Sequence, residues 1–344
     1  MRPLSASGQY TQNLHLSNFT VFRNAKFNFV TGVNAFIGEN GAGKTHLMKA
    51  LYAMQYAQAR EAHSLDEVLQ DLFQTKDASD VISVDAPSGA VANVSGSYGG
   101  ERWSYAIQRT SGPTTVEGTH LPRVERPVFI PALDMMGHTR GFTEAYADIR
   151  LDFDLTCSDI VNLLKLESRT NNSRMDPLAN LASEVLGGRI DRDDSGRFYL
   201  TTDQGRMPMP MVAEGLRKIA TLIQLQRNGW LSPGSTLFWD EPEVNLNPVL
   251  MDNVIAAILE LARSGVQVFL ATHSYLILKE IEVQATKTDK FRFFSLLNTD
   301  SGVVGNPADS YLGIQPNAIE RHYAELYDRG IEKQMASAEA LHES

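Results

Sequence analysis

Apolar positions fall into short strand-like runs early in the chain and into regular strand and helix alternation later in it. Leu14–Phe19 and Phe27–Thr31 read as strands, and Ala35-Phe36-Ile37 forms a third that runs into Gly38. Leu47, Leu51 and Met54 then recur at helical spacing, with Ala50, Ala53 and Ala57 small enough to let that helix lie close on a sheet. From Val81 to Thr110 the runs alternate, with Trp103, Tyr105 and Ile107 on one side and Pro-Ser-Gly and Tyr-Gly-Gly turns between them, which predicts an antiparallel meander. Pro127–Ile130 has the character of a central strand, and Phe142–Leu186 reads as mostly helical.

From Met211 the spacing predicts a helix over Leu216–Arg227, a strand at Thr236–Trp239, a helix over Pro248–Arg263, a strand at Gln267–Ala271, a helix from Tyr275 and a strand at Phe291–Leu297. Strands separated by helices imply a largely parallel, buried sheet. The expected architecture is α/β in one piece: an N-terminal lobe (1–140) with an antiparallel β subdomain, an inserted, mostly helical segment (141–210) and a C-terminal lobe (211–344). Asn317–Ala340 reads as a solvated packing helix of mixed charge. No internal repeat or long heptad array is present.

Composition narrows the class. With 43% hydrophobic and 21% charged residues over 344, the chain can bury a large core, which excludes disorder as a whole. Subtracting 41 acidic from 31 basic residues gives −10, so nucleic acid is not indicated, although a local basic groove can hide in an acidic total. The single cysteine, Cys157, suits a reducing compartment. Met1–Gln12 lacks a signal-peptide pattern and no run approaches the roughly 18 apolar residues of a membrane span, so a cytoplasmic location is expected.

The chemistry starts at Gly38-Glu39-Asn40-Gly41-Ala42-Gly43-Lys44-Thr45, a G-x-x-x-x-G-K-[ST] phosphate loop between a strand and a helix. Backbone N–H groups from Asn40 to Lys44 are placed to surround the β-phosphate of ATP, Lys44 to bridge the β- and γ-phosphates, and the Thr45 hydroxyl to ligate Mg²⁺. Strand Thr236–Trp239 delivers Asp240 and Glu241 at its C-terminal edge, where ligands of open α/β sheets gather. Asp240 is the expected Mg²⁺ carboxylate, through water, and Glu241 the group that polarises the attacking water. Thr272-His273-Ser274 ends the next strand, with His273 in reach of a γ-phosphate or of Glu241. Asn247 reads as an N-cap with Pro248 at the first helical position. Ala213-Glu214-Gly215-Leu216-Arg217-Lys218 opens a helix, and a glycine there with cationic neighbours makes a ready anion site.

In this order, these stations resemble ABC-type ATPases of the SMC, RecF and OLD group, and are most similar to the compact ATPases related to OLD nucleases found in anti-phage systems. Asp240-Glu241-Pro242-Glu243-Val244-Asn245-Leu246-Asn247-Pro248 is similar to that branch's Asp-Glu-Pro-Glu-x-x-Leu-His-Pro, and Phe129-Ile130-Pro131-Ala132 and Leu326-Tyr327-Asp328 are similar to it as well. The resemblance implies two heads facing each other, with Gly215 and Asn245 of one reaching the nucleotide of its partner. One departure is Ala213, where signatures of this type carry a serine, which leaves backbone N–H groups and Lys218 to make that contact. The family's glutamine between the phosphate loop and the signature has no clear counterpart; Asp134 follows the Pro127 strand without a role assigned to it.

Counting removes some relatives. Lys44 and Asp240 are 240 − 44 = 196 residues apart, too few for long coiled-coil arms, and 344 − 273 = 71 residues after His273 are too few for a toprim nuclease. The expectation is therefore an ATPase that assembles as a homodimer or higher oligomer and regulates a separately encoded effector, a nuclease among the candidates. A RecF-like repair ATPase and a nucleotide-gated scaffold with little turnover stand as alternatives.

Overall fold

The computed structural model describes residues 9–59, 64–109, 115–118, 124–149, 151–166, 178, 181, 184–316 and 325–333. At its centre is a six-stranded sheet in the order β14-β13-β3-β12-β11-β7. Its members are β3 (Val33–Gly38), β7 (Val128–Ile130), β11 (Thr236–Asp240), β12 (Gln267–Thr272), β13 (Phe291–Thr299) and β14 (Gly302–Ala308). All neighbours are parallel except the β13–β14 hairpin at one edge.

Because side chains alternate across a strand, one face of this sheet collects Ala35, Ile130, Trp239 and Leu270, and the other collects Phe36, Phe129, Phe238 and Phe269. The phenylalanines form a ladder, with Phe238 stacked on Phe129 at 5.9 Å and on Phe269 at 5.1 Å. Offset stacking of this kind adds about 0.5–1.5 kcal/mol per pair beyond area burial. Helix α1 (Lys44–Ala59) lies on the aromatic face, where the Tyr52 ring sits edge-on to Phe129 and Phe238. The helix that begins at the phosphate loop is thus clamped directly over the strands that carry Asp240 and His273.

That core also joins the central sheet to a five-stranded antiparallel sheet in the order β2-β1-β4-β5-β6. It comprises β1 (Thr11–Phe19), β2 (Phe22–Asn28), β4 (Val91–Tyr98), β5 (Glu101–Gln108) and β6 (Thr115–Gly118). Trp103, Tyr105 and Ile107 are buried on one side of β5, as the alternation predicts. The strand expected at Phe27–Thr31 instead runs over Phe22–Asn28, because Thr20, at φ 49°, closes a tight hairpin that pairs Phe19 with Phe22. Thr110 lies outside the described residues.

The other face of the central sheet is covered by α4 (Leu155–Lys165), α5 (Glu214–Arg227), α6 (Pro248–Arg263) and α7 (Tyr275–Gln284). The expectation of a mostly helical 141–210 needs correction over 188–208, while 150, 167–177, 179–180 and 182–183 lie outside the described residues. After α3 (Phe142–Ile149) and α4, residues 188–208 form a three-stranded antiparallel sheet of β8 (Gly188–Arg192), β9 (Phe198–Thr202) and β10 (Gly205–Pro208). These strands are four or five residues long, and only Ile190, Phe198 and Leu200 tie them to the core, so little periodicity marks them. Residues 325–333 are helical and exposed, and the remainder of the expected 317–340 helix lies outside the described residues. Among the described residues no helix is long and apolar enough to cross a membrane.

Candidate nucleotide and magnesium site

The phosphate loop takes its shape from glycines that have no alternative. Gly41 and Gly43 adopt φ of 81° and 83°, and a Cβ on Gly43 would come within 2.6 Å of Val21 Cγ2 and 2.8 Å of the Phe22 ring. A Cβ on Gly38 would meet the Leu296 carbonyl at 2.6 Å. Glu39, Asn40 and Gly41 are exposed, whereas the Ala42 side chain is buried and offers only its backbone.

At the start of α1, the Lys44 ammonium donates to the carbonyls of Gly38 at 2.9 Å and Glu39 at 3.1 Å and lies 3.4 Å from His273 Nδ1. Burial lowers its pKa, against the opposing pull of Asp240, Glu241 and Glu243. The Thr45 hydroxyl donates to Asp240 Oδ2 at 2.8 Å, 195 residues along the chain. Burial pushes the Asp240 carboxyl up to about 6 despite that hydrogen bond.

Beyond Asp240 the Glu241 N–H still follows the sheet, donating to the Ala271 carbonyl at 2.9 Å. Its φ of 46° then turns the chain, a conformation that is uncommon without glycine and is often found at functional sites. The turn aims the Glu241 carboxylate at His273 Nε2, 3.2 Å away. His273 therefore stands between the lysine of the loop and the glutamate of the strand.

The same arrangement of elements is found in two SMC head structures, one bound to the C-winged-helix domain of ScpA and one with an extended coiled coil bound to the C-terminal domain of ScpA derived from Pyrococcus furiosus. They superpose with TM-scores of 0.56 and 0.54 at 12% and 11% identity, over 87% and 93% of this chain and 98% and 99% of theirs. The fold is that of an SMC-type ATPase head. In sequence, residues 158–279 match the family described as "AAA domain, putative AbiEii toxin, Type IV TA system", and residues 13–93 match a family described as "AAA domain". The DNA replication and repair proteins RecF of Bacillus velezensis and Bacillus subtilis are each 36% identical over 61 residues, which is 18% of this chain and 16% of theirs. Together these matches support an ABC/AAA-type ATPase of the RecF and SMC group.

Within the head, Gly215 and Asn245 meet each other's segments rather than their own phosphate loop. A Cβ on Gly215 would approach Leu250 Cδ1 at 2.9 Å and Leu246 Cδ1 at 3.1 Å, and the Asn245 amide donates to both Glu214 carboxylate oxygens at 3.1 Å. Asn245, at φ 55°, is exposed. Asn247 caps α6 as expected, its side chain accepting from the Val249 N–H at 3.0 Å.

Lys218 cannot supply the outward contact the signature suggested. It is buried, and its ammonium donates to the carbonyls of Pro242 at 3.1 Å, Glu241 at 3.4 Å and Val244 at 2.5 Å. Its charge is spent on holding the turn that follows Glu241. Asp134 also finds a place: its carboxylate accepts from Arg217 Nε at 2.7 Å and from the N–H groups of Met136 and Gly137 at 3.3 Å each.

One functional carboxylate escaped the sequence reading. Glu243 Oε1 accepts from the His273 backbone N–H at 2.6 Å and from the Thr272 hydroxyl at 2.8 Å. It stood in the sequence as the second glutamate of Asp240-Glu241-Pro242-Glu243, with no role assigned to it.

Proposed function

We propose that the chain is a Mg²⁺-dependent ATP hydrolase whose heads pair around ATP, and that this cycle restrains or releases a separately encoded effector in anti-phage defence. The convergence of Lys44 and Thr45 with Asp240, Glu241 and His273 carries the hydrolase reading. Thr45 and Asp240 present the hard oxygen donors Mg²⁺ prefers, and Asp240, raised by burial, forms no ion pair among the described residues, so a divalent cation would give it a direct positive partner. When bound, Mg²⁺ neutralises the phosphate oxygens.

The residues of the chain then divide the work. Lys44 exchanges the carbonyls of Gly38 and Glu39 for the β- and γ-phosphates. Glu241 orients a water in line with the γ-phosphorus and takes its proton, and His273 holds that carboxylate while its other nitrogen follows Lys44. Gly215 and Asn245 of a second copy close the site and exclude bulk water, and with alanine at 213 that contact is made by backbone N–H groups, which favours slow or partner-dependent turnover. The likeness of the Asp240–Pro248 stretch to OLD-related ATPases supports a role beside an effector. A cytoplasmic location follows from that role.

Purified protein tests the core of this reading. Lys44→Ala is expected to lose Mg²⁺-dependent ATPase activity, and Glu241→Gln to bind ATP, stop turning over and accumulate as a dimer. Full activity in Lys44→Ala refutes the site. The RecF matches favour a second reading, a DNA-binding repair ATPase. Tight DNA binding that weakens steeply across a salt series would select it.

A further inference from the structure

Residues 136–140, Arg197, Phe198 and Pro210 border a cavity of about 250 Å³. Its lining includes His138, Arg140 and Arg197 and no acidic residue. Arg189, Arg217, Arg263 and Arg292 are each paired with a carboxylate. Among the described residues Arg140 and Arg197 form no ion pair. The Thr139 hydroxyl donates to the Gly196 carbonyl at 3.1 Å, which fastens the two sides of the wall together. Arg140 and Arg197, each the next residue along, are therefore held at one opening although 57 residues separate them in sequence.

The inner side of this wall is tied to the signature helix. Met136 and Gly137 donate their N–H groups to Asp134, and Asp134 pairs with Arg217 in the first turn of α5. A Cβ on Gly137 would lie only 3.6 Å from Arg217 Nε. Arg217 is pinned further by the Val212 carbonyl at 2.6 Å, just ahead of the helix.

We propose that this cavity is a second anion site, taking the terminal phosphate group of a small phosphorylated ligand, and that its occupancy is transmitted through Asp134 and Arg217 to the start of α5. Guanidinium forks match phosphate oxygens in a bidentate manner, and two of them beside an imidazole suit a dianion better than a monovalent carboxylate. The volume is below the roughly 300–1,000 Å³ of pockets that enclose a drug-sized ligand, so it holds a phosphate or diphosphate and leaves the remainder of a ligand outside. An anion drawn toward Arg140 and Arg197 pulls on 136–140, and with it on the N–H groups that hold Asp134. Its effect on turnover rests on the head-pairing reading above; the binding itself does not.

Inorganic pyrophosphate is the probe, titrated calorimetrically into the Lys44→Ala protein so that the phosphate loop is disabled. Binding is expected to persist there and to weaken by about tenfold or more when Arg140→Gln and Arg197→Gln are added, with the melting temperature unchanged. Equal binding in that triple variant, or loss of all binding on Lys44→Ala alone, overturns the site. A short single-stranded oligonucleotide that binds through the same arginines where pyrophosphate does not also overturns it, in favour of a nucleic-acid backbone. Hydrogen exchange over 213–217 is expected to change on pyrophosphate addition to Lys44→Ala. Unchanged exchange at saturation overturns the transmission, whatever the state of head pairing.

Discussion

Glu243 Oε1 accepts the backbone N–H of His273 at 2.6 Å, so the turn after β11 fixes the height of the residue that follows β12. The Thr272 hydroxyl shares the same oxygen, and Glu243 Oε2 is buried with no hydrogen-bond partner among the described residues. In the proposed hydrolase Glu243 serves as a positioning residue, acting on Glu241 and Lys44 through His273. Glu243→Ala is expected to lower kcat by about tenfold or more, near 1.4 kcal/mol, with little change in ATP affinity. Glu243→Gln keeps an acceptor at the same place and should recover most of the rate. Equal loss in both variants, measured by steady-state ATPase assay and nucleotide titration, would assign the effect to charge instead of position.

Ala213 is the exposed N-cap of α5 and makes no side-chain cap bond. Aspartate is a far better N-cap, by about 0.5–2 kcal/mol, and its charge favours the helix N-terminus. Within one head, Ala213→Asp should therefore raise the melting temperature. If this helix faces a partner's γ-phosphate, the same charge repels it, and turnover should fall. Mixing Ala213→Asp with Lys44→Ala then restores activity, because a mixed dimer has one site with both halves intact; random pairing gives roughly a quarter of the wild-type rate. No recovery on mixing would place the helix outside the reaction.

Asp240 provides a pH signature. Its folded carboxyl titrates at about 6 against an ordinary 3.8, because burial disfavours the charge. The folded state thus keeps a proton that the unfolded chain releases, and stability falls as pH rises through that window, with the loss complete above about 6. Asp240→Asn removes the charge and still accepts from Thr45. In the absence of nucleotide and Mg²⁺ it should melt a few degrees above wild type at pH 7.5, the gap closing toward pH 4, while losing turnover. Calorimetric scans at the two pH values check this, and identical melting at both would mean that water reaches the carboxylate freely.

Cys157 lies buried in α4, and burial pushes its thiol up to about 12. The thiolate is the reactive form, so a thiol reagent at pH 8 should leave the native protein unlabelled. Labelling is expected to appear with denaturant along the same curve as the loss of helical circular dichroism. Rapid labelling of the native state would mean that α4 opens locally.

The stations of the site were legible because each depends on short-range geometry. Gly41 and Gly43 occupy backbone conformations that glycine favours, Asn247 and Pro248 announce a helix start, and strands such as Thr236–Asp240 are apolar on both faces. Their alternating residues even contain the phenylalanine ladder, since the period of two that places Phe129, Phe238 and Phe269 is a property of the strand. By contrast, β8 to β10 carry little apolar signal and are marked as strands only by their pairing with one another.

What the sequence could not determine was which charged residues act on a ligand and which are consumed within the fold. Lys218 follows Gly215 by three positions and reads as a cation beside an anion site, yet it is buried against the carbonyls of the 241–244 turn. Asp134 and Arg217 pair across 83 residues, Thr45 and Asp240 across 195, and Arg140 and Arg197 are left facing one cavity. The sequence determined the nucleotide loop and the strands that carry the site, because those follow from local backbone and side-chain rules. Only the tertiary structure decided the partners, because the electrostatic role of a side chain depends on which distant groups share its burial, and chain spacing carries no record of that.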